Sequence, residues 1–241
     1  MGNENGEWIM RGMASDDPRR LRTPEQLIET VNELGFLPLF RNSLPGFSVE
    51  ERTAAGDWWT GSESTDPWEW RRLLADSGQV AYGKFFDRKA GFISLDWLPD
   101  FANWRRDGYD FDALWEDEKA SWRQKKIMDL FGSGEEMPSF DVKRKAGFGP
   151  GGEKNFEGVM TDLMMRTYLT VRDFRCRLNQ KGQPYGWHVA VYAAPETIWG
   201  YGRVTKAYHR PPQESKARIF ARIRACFPGA DDSQIQRIMR F

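Results

Sequence analysis

Between residues 171 and 192 the chain alternates apolar and polar residues twice, and this pattern limits the fold more than any other stretch. Over residues 171–178, Phe174, Cys176 and Leu178 alternate with Asp173, Arg175 and Arg177. Over residues 185–192, Trp187, Val189 and Val191 alternate with His188 and Ala190. A period of two marks a strand with one covered face. The connecting Asn179-Gln180-Lys181-Gly182-Gln183 is polar and puts a glycine where a tight turn needs positive φ. The two strands therefore read as one hairpin with a basic tip.

What precedes the hairpin is helical. Trp122, Lys126, Ile127, Leu130 and Phe131 recur at helical spacing and end at Gly132 and Gly134. Ser139 is placed to cap a second helix running to Ala146. A glycine-rich connection over 147–152 leads to a third helix from Asn155 to Arg166, whose apolar stripe is Phe156, Val159, Met160, Leu163 and Met164. Three helices followed at once by a hairpin is the order of a winged helix. The expected fold class is α+β, a winged helix-turn-helix, with tandem or partly degenerate winged-helix units packed as one compact unit.

The rest of the chain divides around this segment. Residues 1–22 are polar and aperiodic and read as a flexible leader. Residues 23–118 form a Trp-rich α+β region opened by Thr23-Pro24-Glu25-Gln26, in which Thr23 caps a helix, Pro24 takes its first position, Gln26 completes a capping box and Gly35 closes it. Asp66-Pro67 starts another helix, and Ser94 is placed to cap a short one through Trp97 and Phe101. Residues 119–193 are the winged-helix domain, and 194–241 a basic helical extension. The 11 tryptophans need a packed interior or a partner surface, which excludes general disorder. Core packing is the default for Trp58, Trp59, Trp68, Trp70, Trp97, Trp104 and Trp115; an aromatic pocket that stacks a flipped base is the functional alternative.

Charge is the second constraint. The formal net charge is zero, but residues 50–118 carry 16 acids against 8 Lys or Arg, 119–181 carry 13 bases against 8 acids, and 200–227 carry 7 bases against 1 acid. This polarisation favours an anionic partner on one part of the surface. Candidate DNA-binding residues follow from it. Lys154, Asn155 and Arg166 lie on the exposed side of the third helix together with Glu157, Thr161 and Asp162, a mixed face poorly suited to reading bases alone. Arg175, Arg177 and Lys181 project from the hairpin, and Lys216, Arg218 and Arg222 line the outer face of a C-terminal helix. The partner expected is double-stranded DNA, held through its backbone.

Two runs of residues resemble a known family. One is Asp66-Pro67-Trp68-Glu69-Trp70 with Tyr82-Gly83-Lys84-Phe85, Phe92-Ile93-Ser94 and Leu98-Pro99-Asp100-Phe101; the other spans 170–192, with Phe174-Arg175 and Tyr185-Gly186-Trp187. Together they resemble the bacterial AlkZ-related proteins, relatives of the AlkZ/YcaQ winged-helix DNA glycosylases, over about residues 23–198. The resemblance implies tandem winged helices that cradle duplex DNA, and enzymes that hydrolyse the N-glycosidic bond of alkylated or crosslinked bases. It also implies a Gln-x-Asp or Gln-x-Gln pair after a Leu-Gly. Here Leu34-Gly35 is followed by Phe36-Leu37-Pro38-Leu39-Phe40, so Pro38 and Phe40 stand where the polar pair would. Neither can activate water or hold a developing cation.

Other chemistry finds little support. Asp107, Asp110 and Asp112 lack a histidine or further fixed acid and read as helix caps; the 147–152 glycines precede no Gly-Lys-Ser or Gly-Lys-Thr. Two cysteines make no disulfide framework, and no apolar run approaches the ~20 residues of a membrane helix. We therefore expect a cytoplasmic protein without cofactor or metal, with catalytic residues unassigned. The leading expectation is a DNA-binding protein derived from the glycosylase architecture that lacks the catalytic pair. An active glycosylase using other residues, and a protein-interaction module without DNA, stand as alternatives.

Overall fold

The computed structural model describes residues 2–4, 7–179 and 181–241. The first half contains β1 (Gly2–Glu4), β2 (Glu7–Ile9), α1 (Pro24–Leu34), β3 (Phe36–Pro38), α2 (Pro67–Ser77), β4 (Val80–Phe86), β5 (Lys89–Ser94), α3 (Leu98–Arg106) and α4 (Phe111–Glu116). The second contains α5 (Trp122–Met128), β6 (Met137–Pro138), α6 (Ser139–Lys145), α7 (Phe156–Met165), β7 (Thr170–Leu178) and β8 (Pro184–Ala193). Four helices close the chain: α8 (Pro195–Trp199), α9 (Tyr201–Val204), α10 (Pro212–Cys226) and α11 (Asp232–Met239). The fold is α+β, and no helix among the described residues is long and apolar enough to cross a membrane.

Local chemistry sets the helix ends. The Thr23 hydroxyl accepts the Gln26 N–H at 3.3 Å, but the expected capping box does not close, because the Gln26 side chain accepts from Arg22, one residue before the cap, instead of from Thr23. Gly35 ends α1 at φ 93°, and a Cβ there would lie 2.7 Å from the Trp97 indole, so no other residue fits. Asp66 opens α2 by accepting the Trp68 N–H at 2.8 Å. Two caps differ from expectation. Ser94 ends β5 and its hydroxyl is buried without a hydrogen bond; α3 starts behind Trp97, whose N–H bonds to the Ser94 carbonyl at 3.1 Å. Ser139 is the first residue of α6, not its cap: Pro138 takes that position because β6 runs straight into the helix.

Five strand pairings, all antiparallel, give a six-stranded sheet in the order β3-β5-β4-β7-β8-β6. The order is palindromic in its parts. In each half a short strand precedes a hairpin and pairs with the hairpin's second strand, and the two hairpins meet through their first strands. That seam is narrow: Tyr82 pairs with Val171, and the Thr170 hydroxyl donates to the Tyr82 carbonyl at 2.8 Å. One sheet therefore takes strands from both sides of Lys119.

The core lies against this sheet. Leu27 and Val31 of α1, Trp70 and Leu74 of α2, and the whole stripe Phe156, Val159, Met160, Leu163 and Met164 of α7 are buried. Phe36 is the hub of an aromatic cluster, with Phe101 at 5.0 Å, Trp97 at 5.8 Å and Phe47 at 6.0 Å between ring centroids. Thr161, expected on the exposed side of α7, is buried: it donates to the Glu157 carbonyl at 2.7 Å and accepts from Lys84 Nζ at 3.2 Å. Residues ahead of α1 run along the 50–57 segment, with Met13 N–H on the Thr53 carbonyl at 2.8 Å and Leu21 N–H on that of Arg52 at 2.7 Å.

Candidate nucleic-acid interface

The second half of the chain builds a basic cleft. Residues 147–153 fold back because Gly147 and Gly151 sit at φ 75° and 76°. Gly147 and Phe148 cap α6 by donating to the Arg144 and Lys143 carbonyls at 3.2 and 2.9 Å, and Glu153 N–H returns to the Gly147 carbonyl at 2.9 Å. The Glu153 carboxylate then fastens the turn to α5. It accepts from Arg123 at 2.9 Å and Lys126 at 3.2 Å, and the Arg123 hydrogen bond leads the contacts that hold its pKa below the usual carboxylate value.

Between this turn, the last turn of α6, the first turn of α7 and strand β7 lies a cavity of about 590 Å³, lined by Lys143, Arg144, Arg177, Phe148, Phe156 and Glu157 among others. The three cations outnumber Glu157. Arg144 shares its charge with Asp141 at 2.9 Å, while the Arg177 guanidinium rests 5.0 Å from the centre of the Phe140 ring. The cap residue of α7, Asn155, sits at φ 66° and makes no side-chain capping bond. An open cleft of this kind can take phosphate oxygens, with the positive end of α7 beside it.

The sequence candidates separate in space. Arg177 lines this cleft; Lys154 and Asn155 are exposed just ahead of α7 but do not line it, and Arg166 sits at the far end of α7, half-buried. Arg175 is exposed yet held by Asp173 at 2.8 Å and Glu136 at 3.4 Å. Lys181 is at the hairpin tip, where its N–H bonds to Asn179 Oδ1 at 2.9 Å; Gln180 lies outside the described residues. The three C-terminal candidates are engaged in packing. Lys216 Nζ stands 5.6 Å from the Phe220 ring centre, Arg218 reaches Asp100 at 3.4 Å, and Arg222 donates to the Leu34 carbonyl at 3.1 Å and to that of Glu33, at the C-terminus of α1. Lys143 and Arg144 were missed among the candidates; the signal for them is the Lys143-Arg144-Lys145 run that ends α6.

A second cavity, of about 440 Å³, opens at the two positions where the family resemblance would put a polar pair. Pro38 and Phe40 form its apolar wall with Phe86 and Ile238, and Lys89 and Arg237 also line it. Glu50 lines it as well, although only 1% exposed; its two oxygens accept the Arg11 N–H at 3.1 Å and the Arg41 N–H at 2.9 Å. Each oxygen keeps capacity for one more donor. Sequence reasoning missed Glu50, because it belongs to no motif and its burial comes from backbone brought in from positions 11 and 41. Asp110, read as a helix cap, does stand at the cap position of α4 but makes no side-chain capping bond; its carboxylate accepts from the Tyr201 hydroxyl at 2.7 Å. No group of three or more His, Cys, Asp or Glu able to hold a metal occurs among the described residues.

Comparison with known proteins agrees with the resemblance read from the sequence. A family model described as AlkZ related matches residues 21–240, and the chain belongs to the AlkZ-related family. No curated protein and no solved structure matches it.

Proposed function

We propose that the chain is a tandem winged-helix protein that binds duplex DNA through its backbone and lacks the base-excising pair of the glycosylases its family is related to. The order of elements supports the fold reading. A winged helix runs helix, strand, helix, helix, strand, strand, with its first strand on the outer side of the last; α5, β6, α6, α7, β7 and β8 follow that order, and β6 pairs with β8. The first half offers α1, β3, two single-turn 3-10 segments, α2, β4 and β5, with β3 on β5. We place one unit on either side of Lys119, with residues 194–241 as the extension that braces them.

The observation that carries DNA binding is the basic cleft at Lys143, Arg144 and Arg177. It lies between what would be the second helix, the recognition helix and the wing, where a winged helix meets phosphate. Backbone binding predicts that affinity for a random-sequence duplex falls linearly in log–log coordinates as salt rises, with a slope of about −3 if three phosphates are neutralised. Fluorescence anisotropy over 20–200 mM salt measures it. An absence of binding at the lowest salt removes DNA from the function.

A second reading, base excision by a carboxylate outside the family pair, rests on Glu50, which lines the Pro38 and Phe40 cavity. The leading reading expects no abasic sites when the protein is incubated with alkylated or crosslinked duplex. Alkali-sensitive strand breaks that appear with the wild type and vanish in Glu50→Gln would transfer the function to this second reading.

A further inference from the structure

A third cavity, of about 650 Å³, lies between the N-terminal turn of α2 and the distal half of β8, on neither of the sites above. Trp59, Trp68 and Trp187 line it together with Asp66, Glu69, Arg71 and His188. We propose that this cleft is a binding site for an organic cation, an alkylated ammonium group, held on the indole faces and balanced by Glu69.

The presentation of Trp187 is the first support. In the β7–β8 ladder Arg175 pairs with Val189 and Arg177 with Tyr185, so the single residue Cys176 faces the three residues Gly186, Trp187 and His188. Gly186 turns at φ 73° to allow the bulge. Without it Trp187 would continue the face of Val189 and Val191; with it the indole is 92% exposed and aimed into the cleft lining. A bulge that re-aims one large apolar side chain into solvent is a feature with a use, since exposure of an indole is unfavourable unless a partner covers it.

Charge selects the partner. The indole face is negative and attracts cations, and the cleft already illustrates this: the Arg71 guanidinium lies 3.5 Å from the Trp68 ring centre and 4.3 Å from that of Phe174. Carboxylates outnumber cations on this part of the chain, with Glu63, Asp66 and Glu69 against Arg71 and Arg72. The arginines nearby on α2 and β7 are taken: Arg72 by Glu63 and, at 3.8 Å, by Glu69, and Arg172 by Glu136 at 3.3 Å and Asp76 at 3.6 Å. Arg175 is held by Asp173 and Glu136 as described. Arg71, the arginine that lines the cleft, is engaged as well, its Nε donating to the Trp68 carbonyl at 2.8 Å, so this side of the hairpin is unsuited to nucleic acid and suited to a positive group. Asp66 is committed, accepting the Gly61 and Trp68 N–H groups at 2.9 and 2.8 Å; Glu69, whose contact with Arg72 is long at 3.8 Å, is the acid left to face a ligand.

The test is a titration of the whole protein with choline, followed by tryptophan fluorescence and by NMR of the choline methyl protons, at constant ionic strength. Its uncharged carbon isostere, 3,3-dimethylbutan-1-ol, runs in parallel. Saturable choline binding in roughly the millimolar range is expected, with the alcohol at least about tenfold weaker. Trp187→Ala, a change at an exposed position that leaves the melting temperature unaltered, weakens choline by about tenfold, and Glu69→Gln by several-fold. Equal affinity for choline and the alcohol, no saturable choline binding, or wild-type affinity in Trp187→Ala overturns the proposal. Duplex DNA binding of Trp187→Ala is expected to match the wild type, which keeps this site distinct from the basic cleft.

Discussion

Replacing Glu196 by Gln is expected to destabilise the protein by about 3 kcal/mol, a drop of roughly 6–12 °C in melting temperature for a domain of this size. Arg106 on α3 is fully buried and spans three segments of chain. It bonds the Thr167 carbonyl at 2.6 Å, the Thr167 hydroxyl at 3.3 Å and the Tyr208 hydroxyl at 3.3 Å, and forms an ion pair with Glu196 on α8. Burial by itself would lower the Arg106 pKa, but the Glu196 charge and the Tyr208 hydroxyl more than offset it and hold the pKa above the ordinary arginine value. The group is therefore charged at every accessible pH. Removing the Glu196 charge leaves a buried cation without its counter-ion, one of the costliest defects a core can carry. Thermal unfolding of Glu196→Gln measures the loss, and an unchanged melting temperature would sink the assignment.

The neighbouring Arg105 supplies the contrast. It is equally buried, but its only hydrogen bond is to the Met165 carbonyl at 3.0 Å; Nε and Nη2 have none, and its surroundings are the Phe101, Trp104 and Phe241 rings, 4.9–5.4 Å away. Burial pushes its pKa down to about 9. A base whose folded pKa lies below its unfolded one subtracts stability while it is charged in both states. That penalty is full below about pH 9 and is relieved as pH rises toward the unfolded value. Arg105→Met is the natural control: it should be neutral or stabilising where Glu196→Gln is costly.

Much of this architecture was legible because it obeys strong periodicities. The α7 stripe and the β7–β8 hairpin follow from patterns of 3.6 and 2, the α1 cap follows from Thr23-Pro24, and Asp66-Pro67 opens α2 where its dipeptide says it should. The illegible parts depend on residues far apart in sequence. Strand β6 is two residues long and β3 three, too short for any period, and they exist only because β8 and β5 offer them an edge. The bulge at Gly186-Trp187-His188 breaks the alternation of β8 without altering its letters, so Trp187 leaves the covered face that the pattern assigns it. Arg222 looks like a free cation on a helix face, yet it finds the last carbonyls of α1, about 190 residues away in sequence, where a positive charge complements the helix dipole. For the same reason the candidate basic residues were a mixture: charge can be counted from sequence, but the carboxylate that neutralises it cannot.

That distinction sets the largest expected effect. Reversing Lys143, Arg144 and Arg177 together to Glu should weaken binding to a random duplex on the order of 10²-fold at 0.1 M salt and flatten the salt slope by about 3, because each lost phosphate contact removes about one unit of it. Folding should survive, since all three side chains are exposed and the only ion pair lost is the i,i+3 contact of Arg144 with Asp141, worth a few tenths of a kcal/mol. Arg175→Glu is the informative partner to this variant. It reverses a charge on the same strand, but one that Asp173 and Glu136 already balance, so it should alter DNA affinity far less than Arg177→Glu does. If instead the triple variant binds as the wild type does while Arg175→Glu or Lys181→Glu fails, the tip and not the cleft meets the phosphates. Helix α7 would then have no part in holding DNA, because Glu157 and Asp162 on it are matched in charge by Lys154 before it and Arg166 after it.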